Sequence, residues 1–209
     1  LINPNRYTTI WQALLQFYNN IWKVPLFVRV FSSSTSVMLL ATIMRRDRLI
    51  NFSTYTASLK MIDGIGYWDT DVIPEDWRLF FKAFFSLQGR GVVEPLFLPI
   101  MADAAEAEGT WHTYVNQYEQ IKRWAWGVSD TPYIIGRWIT STDVPFWDKT
   151  VRVLRVIEDH FLWPVNWFAI TIGALLPPFL NKEFSRTIIG KTLPQVTSGI
   201  LTICLLALL

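Results

Sequence analysis

The sequence predicts an α/β domain followed by helices that associate with a membrane. In residues 1–130, segments of strand-like composition alternate with segments of helical periodicity, which is the pattern of an α/β domain. Residues 131–160 mix Trp and Phe with Arg and Lys, as helices at a membrane interface do. Residues 161–209 are mostly apolar and contain a stretch long enough to span a bilayer.

The first two predicted elements are helices. Residues 6–22 carry apolar side chains at helical spacing, namely Trp11, Leu14, Leu15 and Tyr18. Residues 25–44 are also mostly apolar, but they contain Arg29 and a run of five hydroxyl side chains at 32–36. A span would place these groups in lipid, so the pattern favours an amphipathic or interfacial helix over a true span.

The middle of the domain is predicted to alternate strands and helices. Residues 50–59 are rich in β-branched and aromatic side chains and indicate a strand. Gly64 and Gly66 indicate a turn after a short helix. Residues 75–87 form an amphipathic helix with an apolar stripe, made up of Trp77, Phe80, Phe81 and Phe84.

One strand and one helix complete the predicted domain. Residues 92–98 indicate a short strand, and Pro95 and Pro99 favour a position at the edge of a sheet. Residues 110–126 are predicted to form a helix. The order of elements therefore remains that of an α/β domain up to residue 130.

The C-terminal region is predicted to contain transmembrane helices. Phe161 to Leu180 is a stretch of 20 residues without a formal charge, with Trp163 and Trp167 near its start, where aromatic belts lie. A second apolar segment begins near Leu193 and stops after 17 residues, short of the about 20 that a span needs. We expect the sequence to be an internal piece of a longer membrane protein; the alternative is a complete small protein.

Composition excludes several classes of protein. The chain is 51% apolar and 15% aromatic, with 11 Trp, which is rich for a soluble domain. A net charge of +2 without a basic cluster argues against a nucleic-acid partner. The single cysteine, Cys204, excludes an internal disulfide and a cysteine-based metal site.

Two short motifs carry the candidate chemistry. The first is Ile73-Pro74-Glu75-Asp76-Trp77, and the second is Gln120-Ile121-Lys122-Arg123-Trp124. Gln120, Arg123 and Trp124 share one helical face, where a guanidinium can bind phosphate and an indole can stack on a sugar or base. The simpler interpretation is that the acids cap a helix, the arginine is solvated and the tryptophan is part of the core.

Together these motifs resemble the acidic (T)ED motif and the Q-x-x-R-W motif of membrane-bound family 2 glycosyltransferases, such as the cellulose, hyaluronan and chitin synthases. Residues 52–63 resemble the strand and helix that precede the family's GG(W/F) turn, and Gly66-Tyr67-Trp68-Asp69 resembles that turn. Glu94 to Pro99 resembles the strand that leads to Q-x-x-R-W. The resemblance covers roughly residues 50–127.

The resemblance implies the C-terminal half of a GT-A domain that transfers a hexose with inversion. It implies that Asp76 is the catalytic base and that the substrates are contacted by Glu75, Gln120, Arg123 and Trp124. The donor would be a nucleotide-sugar, chiefly a UDP-sugar, and the acceptor a glycan or a lipid-linked sugar. We therefore expect Asp76 and Arg123 to line one cleft.

The resemblance also implies a cofactor and a location. The ligands of Mg²⁺ or Mn²⁺ would lie mainly in an N-terminal half that this sequence lacks, so we expect these 209 residues alone to be inactive. The enzyme would be a multi-pass protein of the plasma (inner) membrane, with its catalytic domain in the cytoplasm.

Some residues depart from the family pattern and leave other functions open. Pro74 stands where the family has threonine. Asp69-Thr70-Asp71 has the form of a D-x-D metal motif, but it lies just before Glu75-Asp76, so a solvated or capping turn is the better interpretation. The alternatives are a metal-dependent hydrolase that uses Asp69 and Asp71, and a non-catalytic integral membrane protein.

Overall fold

The computed structural model describes residues 3–207, and for residues 163, 164, 166–171 and 204–207 it describes the backbone alone. The chain divides into two compact units, Leu1–Ile157 and Glu158–Leu209. The strands are β1 (Thr9–Gln16), β2 (Tyr55–Ala57) and β3 (Val92–Met101). The helices are α1 (Leu26–Ile43), α2 (Leu59–Gly64), α3 (Glu75–Ser86), α4 (Thr110–Ala125), α5 (Thr131–Thr140), α6 (Phe146–Gly173), α7 (Leu176–Leu180), α8 (Lys182–Arg186) and α9 (Ile188–Ala207).

The sheet of the first unit has β1 at its centre. Its order is β2-β1-β3, with β2 antiparallel and β3 parallel to β1. The helix predicted over residues 6–22 is therefore wrong, because this segment contains β1. The central strand is buried on both faces, so its apolar residues do not alternate with polar ones and happen to repeat at helical spacing.

The other predicted elements of the domain are present, one of them much shortened. Of the strand predicted over residues 50–59 only Tyr55–Ala57 form a strand, β2, and the short helix predicted before the turn at Gly64 and Gly66 is α2, which ends at Gly64. The helices predicted over 75–87 and 110–126 are α3 and α4, and the strand predicted over 92–98 extends to Met101 as β3. Helices dominate and the sheet is small and mixed, so the GT-A architecture stays a prediction.

The core of the first unit is built around α3. Four phenylalanines of this helix are almost fully buried, at 1% exposure or less, and they stack on one another: Phe80, Phe81, Phe84 and Phe85. Gly91 lets the start of β3 approach this helix, because an added Cβ would lie 3.0 Å from the backbone N and Cα of Phe84. Helix α3 is thereby held firmly, together with the acidic residues at its N-terminus.

Strand β3 forms one edge of the sheet and exposes much of its apolar surface. Phe97 is 62% and Leu98 69% exposed. The N–H of Val92 donates to Thr8 O at one end of the strand pair, and the N–H of Ala102 donates to Gln16 O at the other. Because backbone groups alternate in direction along a strand, the nitrogens of Pro95 and Pro99 lie on the outer side, away from β1.

Helix α1 is bonded to the segment that follows β1 through the polar groups that argued against a span. The guanidinium of Arg29 donates to Ile21 O at 3.1 Å and to Val24 O at 3.2 Å. The hydroxyl of the buried Ser36 accepts from Phe17 N at 2.9 Å. Within the described part of the chain, α1 is the one helix long and apolar enough to cross a membrane, by length and composition alone.

The segment predicted to be interfacial contributes to the core. Ile134 of α5 and Val156 of α6 are at most 1% exposed and belong to the cluster around α3. The Nζ of Lys149 donates to Trp138 O at 2.7 Å. The guanidinium of Arg152 lies over the Phe80 and Phe84 rings, at 5.1 and 4.9 Å from their centroids.

The second unit contains the predicted membrane segments. The segment from Phe161 to Leu180 is divided between α6, which ends at Gly173, and α7. The side chains of residues 163, 164 and 166–171 of this segment lie outside the described residues. Helix α9 covers most of the second predicted span, and its insertion in a membrane stays a prediction.

Candidate functional site

Asp76 is held at the start of α3 by hydrogen bonds on both sides. Its Oδ1 accepts from the N–H of Trp77 at 2.8 Å. Its backbone carbonyl accepts from Nδ2 of Asn51 at 2.9 Å, and Asn51 is fully buried. The loop before β2 therefore fixes the first turn of α3, so the carboxyl occupies a defined position.

The surroundings of Asp76 make its carboxyl a stronger base than usual. Burial raises the pKa of Asp76 to about 6, and the neighbouring carboxylates of Glu75 and Asp130 add to this rise. The hydrogen bond from the N–H of Trp77 opposes it. A carboxylate with such a pKa is deprotonated near neutral pH yet accepts a proton more readily than an ordinary aspartate.

A buried ion pair links α3 to the turn that follows the Q-x-x-R-W helix. Both Nε and Nη2 of Arg78 lie 2.8 Å from Oδ1 of Asp130, which is fully buried. The guanidinium also lies 3.9 Å from the ring centroid of Tyr133. The motif helix and the helix of Asp76 are therefore joined through two charged side chains.

The second oxygen of Asp130 is less well satisfied. Its Oδ2 is buried and has no hydrogen-bond partner within the part of the chain that the structure describes. Burial raises the pKa of the Asp130 carboxyl, and the Arg78 guanidinium lowers it. The position of α4 relative to α3 thus depends on a charge pair that water does not screen.

Two of the three Q-x-x-R-W side chains face α1. The Trp124 ring stacks on Phe31, with 6.1 Å between centroids and 25° between planes. The Oε1 of Gln120 accepts from the buried Gln117 at 3.0 Å. A narrow gap between the two helices is lined by Gln120 and Trp124 with Phe17, Phe31, Ser32, Thr35 and Ala104.

Arg123 differs from its neighbours on α4. Its side chain is exposed and makes no hydrogen bond or ion pair with any described residue. The adjacent Lys122, in contrast, bonds to Glu119 at 3.2 Å. A guanidinium held on a helix without an internal partner is available to an anionic ligand.

Asp69 does not have the surroundings of a metal ligand. Oδ1 of Asp69 lies 2.6 Å from Nζ of Lys82, and Oδ2 lies 3.7 Å from Nη1 of Arg78. Positive side chains thus occupy the position that a divalent cation would take. Nor does any group of three or more potential ligands occur among the described residues.

Sequence reasoning missed two residues of this site, Arg78 and Asp130, which are 52 positions apart. Tyr55 and Trp68 lie in segments that carry the resemblance, but the bond between their side chains, 13 positions apart, was not predicted. The one signal for Asp130 was a carboxylate within an apolar segment close to Q-x-x-R-W. Pairing over such distances depends on the tertiary fold.

No family model, curated protein or solved structure matches the chain.

Proposed function

We propose that the chain carries the catalytic base of a membrane-associated inverting glycosyltransferase of the family 2 type. The observation that carries the proposal is Asp76, a fixed and half-buried carboxyl whose pKa of about 6 suits a general base. The Arg78–Asp130 pair joins its helix to the Q-x-x-R-W helix. That helix bears Arg123, which is unpaired among the described residues.

In this reaction an acceptor hydroxyl oxygen forms a bond to the anomeric carbon of a nucleotide-sugar. The bond between that carbon and the donor diphosphate breaks, and the diphosphate oxygen takes the electron pair. Asp76 accepts the hydroxyl proton as the oxygen attacks. Arg123 pairs with the diphosphate as its negative charge grows.

A divalent cation does not fit at Asp69, because its carboxylate is paired with Lys82 and Arg78. Enzymes of this type use Mg²⁺ or Mn²⁺ at the donor diphosphate, and we place its ligands outside the described residues. We further propose that the full-length protein is a multi-pass protein of the plasma (inner) membrane with its first unit in the cytoplasm, where nucleotide-sugars are made.

The proposal predicts a pH dependence set by Asp76. Because the pKa of this carboxyl is raised to about 6, it is protonated below that pH and cannot accept the acceptor proton. We expect kcat/KM of the full-length protein to rise about tenfold per pH unit up to about pH 6 and to level off above it. The measurement is UDP release in nanodiscs between about pH 4.5 and 8, on both sides of this pKa.

The charges around Asp76 allow a control for this profile. The Glu75 carboxylate raises the pKa of Asp76, so Glu75→Gln should move the inflection to lower pH. If kcat/KM of the unmodified protein stays constant from about one pH unit below the pKa of Asp76 to about one unit above it, the assignment of Asp76 as the base is contradicted.

A second prediction concerns the donor. If Arg123 binds the diphosphate, Arg123→Ala should raise both the KM of the nucleotide-sugar and the Ki of free UDP by about tenfold or more, the cost of losing a hydrogen-bonded charge. Arg123→Lys should restore this only in part, because an ammonium cannot form the planar bidentate contact.

Lys122→Ala is the matched control, since Lys122 is the neighbouring cation on α4 and pairs with Glu119 at the surface. Its UDP inhibition should be unchanged. Equal effects of the two alanine variants would mean that the helix attracts UDP by general positive charge, and the specific role of Arg123 would be lost.

A further inference from the structure

Helix α1 has the reverse polarity of an ordinary surface helix. It buries five residues, three of which have hydroxyl side chains: Val28, Ser32, Thr35, Ser36 and Ile43. Six residues of the helix are exposed, and five of these are apolar: Leu26, Val37, Met38, Leu40 and Ala41. A surface helix in water normally directs its apolar side chains to the core and its polar ones to the solvent. The reversal indicates that the outer face of α1 is not adapted to water.

The outer face of α1, defined by those five apolar residues, carries no charge. Val37 and Met38 at its centre are 61% and 57% exposed. The one formally charged residue of the helix is Arg29, and its guanidinium is bonded to the carbonyls of Ile21 and Val24. A contiguous exposed apolar face of this kind is typical of a surface that binds a protein or a membrane.

The opposite side of α1 is held against its own domain. The hydroxyl of Ser36 accepts from Phe17 N at the end of β1, at 2.9 Å. The ring of Phe31 stacks on that of Trp124 in α4, with 6.1 Å between centroids. Because these contacts occupy one side of the helix, only the outer face is left for a membrane. We therefore expect α1 to meet a membrane as an interfacial helix does, with its axis along the surface.

Basic side chains flank the outer face at both ends of the helix. Lys23 is exposed just before α1, next to Trp22, which is 81% exposed. Three arginines follow the helix, with side chains between 43% and 69% exposed: Arg45, Arg46 and Arg48. Residues 45–48 contain one acid, Asp47, so three positive charges and one negative give a net charge of +2. Arg46 also pairs with Glu94. Anionic lipid headgroups attract such basic clusters, and tryptophan is enriched at the boundary between membrane and water.

We propose that the outer face of α1 docks on the surface of a bilayer that contains anionic lipids. Its apolar side chains enter the boundary between headgroups and acyl chains, and the arginines after the helix pair with lipid phosphates. A second copy of this chain is a poorer partner, because the cations at both ends of α1 would face those of the other copy. The proposal goes beyond sugar transfer, and it is tested without measuring turnover.

The test places a nitroxide on the outer face of α1. Full-length protein whose native cysteines are replaced by serine carries Val37→Cys as the labelled site, in nanodiscs of phosphatidylcholine with or without phosphatidylglycerol. Power-saturation EPR compares the accessibility of the label to oxygen, which concentrates in lipid, and to a water-soluble nickel chelate. With phosphatidylglycerol present, we expect the label to lie about 5–10 Å below the headgroups. Ala41→Cys provides a second site and should give the same result.

Two changes test the contribution of charge. Omitting phosphatidylglycerol, or combining Arg45→Gln, Arg46→Gln and Arg48→Gln, should lower the inserted fraction of the label by about tenfold or more, because each cation near an anionic surface contributes to binding. Glu119→Cys is the control, since Glu119 is exposed on α4 of the same unit. Its label should stay accessible to the nickel chelate in every disc.

Three results at position 37 in discs with phosphatidylglycerol would overturn the proposal. Free access of the nickel chelate would mean that the outer face is in water. Protection from both oxygen and nickel would mean that another protein covers it, and spin–spin broadening would identify that protein as a second copy of the chain. Equal depth with and without phosphatidylglycerol would overturn the role of the anionic lipid.

Discussion

Replacing Asp76 with asparagine is expected to lower kcat of sugar transfer by about 10²–10⁴-fold in the full-length protein, the usual contribution of a general base. Asparagine keeps the shape and can accept the same bond from the N–H of Trp77, but it cannot take a proton. The rate is measured as UDP release in nanodiscs at about pH 7.5, where the unmodified carboxyl is ionised.

Stability should change little or improve in the same variant. Burial raises the pKa of Asp76 from the ordinary 3.8 to about 6, so the folded state loses stability as the pH rises through this range. A neutral amide removes that cost. The thermal midpoint of the variant is measured at a pH above this range. A midpoint equal to or higher than that of the unmodified protein would show that the base is lost while the fold is kept.

Asp71→Asn is the matched control, because Asp71 is exposed and lies five positions before Asp76. Its activity should be retained. A metal-dependent hydrolase that uses Asp69 and Asp71 would show the opposite pattern, with Asp71→Asn inactive. Near-normal transfer by Asp76→Asn would reject Asp76 as the base.

The largest effect on stability is expected from the buried ion pair. Asp130→Ala leaves the Arg78 guanidinium, which is only 14% exposed, without its main partner, and Arg78→Ala leaves the buried Asp130 charge. Each single change should cost about 3–5 kcal/mol, as removal of one partner from a buried pair does. The measurement is the free energy of unfolding by chemical denaturation in detergent.

Two comparisons sharpen this result. The exposed pair of Lys122 and Glu119 is the control, and Glu119→Ala should cost at most about 1 kcal/mol. The double change Arg78→Met with Asp130→Leu removes both charges and should cost less than the sum of the two single changes. Single variants no less stable than Glu119→Ala would mean that the pair does not hold α3 to the turn after α4.

The sequence was sufficient to predict α3, because its apolar residues at helical spacing form the face that its packing then uses. Helix α4 was also predicted, but its buried side chains are the polar Thr113 and Gln117. The sequence was not sufficient for β1. A strand buried on both faces has no alternating pattern, and Trp11, Leu14 and Leu15 imitate a helix. The error could be corrected only by the neighbours of the strand, which lie far away in the sequence.

The candidate site shows the same limit. Asp76 and Arg123 were found because they belong to short motifs, and their chemistry could be stated from residue type. The burial that raises the pKa of Asp76 and the ion pair between Asp130 and Arg78 both depend on other elements of the fold. Local sequence patterns could therefore not predict them. The φ values of Thr54 and Tyr67 were equally invisible, since neither residue type indicates a left-handed turn.

The two prolines of β3 also bear on the behaviour of the protein during synthesis. An exposed apolar edge strand is a template for pairing with other chains, and such pairing leads to aggregation. Pro95 and Pro99 remove two donors from the outer side of β3, so an incoming strand would find an interrupted row of hydrogen bonds. The edge can therefore keep exposed apolar side chains such as Phe97 and Leu98 while remaining a poor seed for misassembly.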